Sequence, residues 1–72
     1  MQQTTTPDTL RSKLVAALKR DLQNAKNYLK ICSQYITQAE QEQDEETVYF
    51  WASQQDIAAQ QVQAINYQLK TI

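Results

Sequence analysis

Apolar residues recur along this chain in alternating steps of three and four, in two series separated by a polar interval. The first series is Val15, Leu18, Leu22, Ala25, Leu29, Cys32, Ile36 and Ala39. The second is Val48, Trp51, Gln55, Ala58, Val62, Ile65, Leu69 and Ile72, with one polar member. This spacing puts each series on one helical stripe, the a and d positions of a heptad, and predicts two packed helices. The first stripe is broadened on one side by Leu14, Tyr28 and Tyr35 at g, with Leu10, Ala17 and Ile31 one row further out at c. On the second, Ala52 and Ala59 flank the stripe at e, where small side chains let a neighbouring helix approach closely. A separate apolar row runs through Phe50, Ile57 and Ala64, and Gln54, Gln61 and Gln68 lie between the two rows.

The opening six residues, MQQTTT, are polar and are expected to form a disordered tail. Thr6, Pro7 and Asp8 then give a helix start: a hydroxyl N-cap, proline in the first helical position and an acid in the first turn. The interval QAEQEQDEET (38–47) has no glycine or proline, so one continuous rod is the competing arrangement. Register argues against it. Extending the first heptads puts the next a position at 50, whereas the second series has it at 48. Coiled coils absorb insertions of three or four residues, but this offset swings the apolar stripe to nearly the opposite side. A rod would also hold Glu40–Asp44 and Glu42–Glu46 as repelling i,i+4 pairs. A turn removes both conflicts, with Asp44 capping the second helix and Glu45 and Glu46 in its first turn. The fold class expected is all-α: an antiparallel two-helix hairpin with helix 1 over about 7–41, a turn near 42–45 and helix 2 over about 45–71.

Two antiparallel helices cannot enclose the broad face of the first and both rows of the second. Pairing of two hairpins into a dimeric four-helix bundle is therefore expected. Composition points the same way. Seventy-two residues form at most one domain, near the size where a single core barely offsets chain entropy. One cysteine forms no internal disulfide, and without histidine it builds no zinc site, which leaves oligomerisation as the remedy. The absence of glycine, with a single proline, disfavours the tight turns of β folds.

The same absences bear on chemistry. Without histidine there is no imidazole base and no Ser-His-Asp or Cys-His arrangement, and without glycine no P-loop or dinucleotide fingerprint. The acids at 40, 42, 44, 45 and 46 lack the spacing and turn glycine of a calcium loop and fit a solvated turn better. Cys32 falls on a d position and is expected to pack as a small hydrophobe. Gln55, at an a position, either sets register inside the seam or marks a loosely packed layer. The expectation is a protein that is not an enzyme and takes no cofactor or metal.

Charge is unevenly spread. Residues 1–30 carry a net of +4 and residues 31–72 a net of −5. Lys13, Lys19, Arg20, Lys26 and Lys30 lie at b, e and f, opposite the apolar face, as one exposed stripe that reads first as a solvated helix face and otherwise as a site for an anionic partner. Nucleic acid is the second-ranked partner, since the whole chain is net −1 and has no interleaved aromatic platform. No apolar run reaches eighteen residues and MQQTTTPD lacks the pattern of a signal peptide, so no membrane association and a cytoplasmic location are expected.

The stretch VYFW (48–51) joins these threads. Successive helical side chains fan out by about 100°, so no single neighbour covers all four. Val48 and Trp51 belong to the seam, Phe50 heads the separate row and Tyr49 points to solvent. The oligomer or partner interface is accordingly assigned to Phe50, Trp51, Ile57, Gln54, Gln61, Ala64, Tyr28 and Tyr35. The function expected is that of a small helical interaction or adaptor protein that homo-oligomerises and binds another macromolecule, a protein first and a nucleic acid second.

Overall fold

The computed structural model describes residues 7–72, with side-chain surroundings from Asp8 onward; the expected tail at 1–6 and the Thr6 cap lie outside the described residues. Two helices follow one another, α1 over Pro7–Gln41 and α2 over Glu45–Thr71, and they pack against each other as a hairpin. The molecule is long and thin, with extents of 64 × 23 × 12 Å. The smallest extent is about the diameter of one helix with its side chains. Its radius of gyration, 17.7 Å, compares with about 11 Å for a compact chain of this length. One layer of two helices has an edge and two open faces, and nothing within the hairpin covers either face.

The turn is closed by backbone bonds alone on the α1 side. Asp44 N–H donates to the Ala39 carbonyl at 2.9 Å and Gln43 N–H to the Glu40 carbonyl at 3.1 Å. These are the 6→1 and 5→2 bonds of a Schellman motif, which satisfies helix carbonyls that would otherwise lack donors. The motif requires a left-handed residue at its C′ position, and Gln43 takes that place with φ 57°. Glycine is the usual occupant because it has no Cβ to clash; here a glutamine carries the strain. The chain then enters α2 at once. Asp44 accepts bonds from the Thr47 amide at 3.2 Å and the Thr47 hydroxyl at 2.6 Å, and Glu45 and Glu46 sit in the first turn, where the helix dipole favours acids.

The seam is asymmetric in side-chain size. In α1 every d residue from Leu18 onward is buried, namely Leu18, Ala25, Cys32 and Ala39, and in α2 only Ala58 is. The a residues of α1 and most of the α2 stripe, Val48, Trp51, Val62, Ile65, Leu69 and Ile72, are half-buried. Val48 and Trp51 were expected in the hairpin core, and they are only half-covered because one layer supplies a neighbour on one side. Small residues at the fully buried positions let the helices come close, but they contribute little apolar area. Burying a Leu-sized side chain contributes about 1.5–3 kcal/mol, and Leu18 is the one residue of that size in the buried set. Ordering each backbone residue costs about 1–2 kcal/mol. A core this thin stands close to the balance point.

Besides the Arg11 contact to the Ile72 carbonyl at the open end, two polar contacts cross the seam. The Gln55 amide donates to the Ser33 hydroxyl at 2.8 Å on the e side of α1. The Tyr28 hydroxyl donates to Gln54 Oε1 at 3.4 Å on the g side, a long and weak bond. Gln55 is half-buried and bonds Ser33, which is exposed. No helix among the described residues is long and apolar enough to cross a membrane.

Candidate functional site

One broad face of the hairpin carries its exposed apolar surface. The g rows of the two helices line it at the centre, the c rows at its margins. Three contacts show that these rows share a side: the Tyr28–Gln54 bond, a stack of Tyr35 on Trp51, and an open groove at mid-length. Tyr35 and Trp51 lie nearly parallel, with centroids 4.6 Å apart and planes 17° from coplanar. Phe50 meets the same indole edge-on, at 5.2 Å and 86°. Both are favourable aromatic geometries. Trp51 is thus the hinge of an aromatic cluster, held by the seam on one side and by rings of the open face on the other.

The large apolar residues left in water belong mostly to these rows. Leu10, Leu14, Tyr28, Ile31 and Tyr35 come from α1, and Phe50 and Ile57 from α2. Phe50 is 54% exposed and Ile57 51%, values that a residue packed inside a two-helix seam does not have. Scattered exposed hydrophobes are ordinary on a protein surface; these seven share one side of the hairpin. The mid-length groove, about 460 Å³, interrupts the patch with polar groups: Asp21, Asn24, Tyr28 and Gln61 line it together with Ala64 and Ile65. Partial desolvation at this spot, and then the Cys32 thiol beside it, hold the Tyr28 phenol above its ordinary value.

The eight residues assigned to an interface fall on this side of the molecule. Tyr28, Tyr35, Trp51, Phe50 and Gln54 are linked by the contacts above, Gln61 and Ala64 line the groove, and Ile57 continues the Phe50 row. Leu10, Leu14 and Ile31 belong to the same face and were read from the sequence as seam flanks rather than as interface; their c and g positions were the signal. Ser33 was missed altogether, since nothing in its own neighbourhood announces a partner on the other helix. Tyr67, 68% exposed, stands apart on the outer side of α2.

The opposite side is polar. Lys13, Lys19, Arg20, Lys26 and Lys30 are all exposed there or along the outer edge of α1. Among the described residues the ion pair seen is Arg20 with Asp21, a long contact of 4.0 Å between exposed groups, which contributes little. Toward the turn this side holds a second open groove, about 720 Å³, walled by the acids Glu40, Asp44 and Glu45 and by the apolar Val48, Tyr49 and Ala52, with Tyr49 76% exposed. Cys32 is wholly buried in the seam as a free thiol, where it packs as a small hydrophobe and is shielded from reagents. No group of three or more His, Cys, Asp or Glu side chains able to hold a metal occurs among the described residues. No family model, no curated protein and no solved structure matches this chain.

Proposed function

We propose that this protein is a non-enzymatic helical interaction or adaptor protein of the cytoplasm, which homo-oligomerises as a four-helix-bundle dimer and binds a further macromolecule, a protein in the first place. The observation that carries the reading is the apolar face of Leu10, Leu14, Ile31, Tyr35, Phe50 and Ile57, left in water by a hairpin whose own core is small. Apolar area of this size gains by association, and a chain this short needs the gain. The absence of histidine and glycine from the sequence supports a role without catalysis, and the lone buried thiol fits a reducing compartment.

Sedimentation equilibrium at micromolar concentration tests this reading. A mass twice that of the chain is expected, with Phe50→Ala weakening association more than it weakens the hairpin. A stable helical monomer ends the proposal. A second reading draws on the exposed stripe Lys13, Lys19, Arg20, Lys26 and Lys30, which lies clear of the apolar face and suits a phosphate backbone. It requires binding of DNA or RNA that falls steeply with salt and is lost in the Lys19→Glu/Arg20→Glu double variant.

A further inference from the structure

The apolar face has a direction along the rod. Toward the turn it is bulky and aromatic, with Tyr35, Trp51, Phe50 and Ile57. Toward the open end, where the start of α1 meets the end of α2, it is lower, with Leu10, Leu14 and Ala64. Charge is sorted along the same axis. The half nearer the open end holds Arg11, Lys13, Lys19, Arg20 and Lys70 against Asp8 and Asp21, a net of +3. The half nearer the turn holds six acids, five of them at 40–46 and the sixth Asp56, against Lys26 and Lys30, a net of −4. Folding back at 42–44 creates this polarity, because it brings Lys70 beside the basic start of α1 and leaves the acidic interval alone at the far end.

We infer that the apolar face is covered by a second copy of this chain lying antiparallel, the turn of each hairpin over the open end of the other. The inference rests on the self-association proposed above and specifies its geometry. A twofold axis perpendicular to the rod at mid-length holds the two acidic turns at opposite ends of the pair. A twofold axis along the rod instead sets the two acidic turns side by side, within the ~10 Å over which charges repel at ordinary ionic strength. Shape agrees with charge: the antiparallel arrangement seats the aromatic end of one copy on the lower, leucine end of the other, and the parallel one stacks bulk on bulk. The face also has the required extent, since a hairpin 64 Å long and 23 Å wide offers more than the ~800 Å² that each partner buries in a standard interface.

Two measurements on the full-length chain test the arrangement. A spin label on Glu42→Cys in a Cys32→Ala background reports the separation of the two turns. Antiparallel copies place the labels about 50 Å apart, twice the helical rise from Ala25 to Glu42, and parallel copies bring them well under half of that. The second measurement uses the unaltered chain, so it does not depend on the variant folding. Raising salt should tighten a parallel dimer several-fold, by screening the repulsion between its acidic turns, and should not tighten an antiparallel one. A dimer with the short distance, or one that tightens with salt, overturns the antiparallel arrangement while leaving self-association intact. A monomer in the same sedimentation run overturns both.

Discussion

At the turn end the backbone closes on itself within seven residues: Glu42, Gln43 and Asp44 donate to carbonyls three to five residues back, and Asp44 caps the helix that follows. At the open end the chain has no such local closure. The start of α1 and the end of α2 meet across 61 positions of sequence, with the Arg11 side chain donating to the Ile72 backbone carbonyl and Leu18 buried one level further in. The turn end is therefore specified by short-range chemistry, and the open end by packing that exists only once the hairpin has closed. Loop-closure entropy orders these events, because contacts of short sequence separation form at the least cost. The contrast explains where the strong residues sit: the one large buried side chain is at the open end, and the capping bonds are at the turn.

The largest expected effect breaks the open end. Leu18→Ala should cost about 3 kcal/mol through lost burial and a residual cavity, seen as a lowered Tm by circular dichroism. Hydrogen exchange should then show the amides of the open end losing protection while those of the turn keep theirs; uniform loss would contradict the contrast drawn above. A smaller effect comes from the turn. Asp44→Ala should lower Tm by about 5 °C. Its pH dependence has a definite sign. Bonds from the Thr47 side chain and backbone hold the Asp44 carboxyl below its ordinary 3.8. The contribution of the cap is therefore present above that ordinary value and lost as pH falls through the lower folded-state value. The Tm difference between Asp44→Ala and the parent chain should shrink in acid, and a constant difference would mean the carboxylate charge is not what caps α2. The smallest effect has the opposite direction. Gln43→Gly relieves the left-handed strain at φ 57° and should raise stability by about 0.5 kcal/mol once the extra freedom of the unfolded chain is set against it.

Much of the fold was legible before any coordinates. The three-four spacing of the two apolar series showed helices, and the register break between Ala39 and Val48 showed that the chain turns. That break is a purely local fact about spacing. The separate row of Phe50, Ile57 and Ala64 was legible for the same reason, since heptad geometry alone puts it outside the seam. Less legible were the partners of side chains across the hairpin. Ser33 and Gln55 bond over 22 positions, and Tyr35 and Trp51 stack over 16; each depends on the vertical offset of the two helices, which periodicity leaves free. The φ of Gln43 was likewise hidden, because a chain without glycine gives no residue-level mark of where its left-handed position falls.

The sequence by itself determined two amphipathic helices, the turn between them and the sorting of residues into seam and flanking rows, because all three follow from periodicity and nearest-neighbour chemistry. Tertiary structure alone decided how thin the core is and what that exposes. Packing two helices in one layer leaves the large side chains of the α2 seam half-covered, gathers Tyr35 and Phe50 around Trp51 on one face, and turns a charge gradient along the chain into a dipolar rod. The physical reason is that burial and long-range electrostatics depend on which segments become neighbours, and only the closed hairpin brings residues 61 positions apart to the same end.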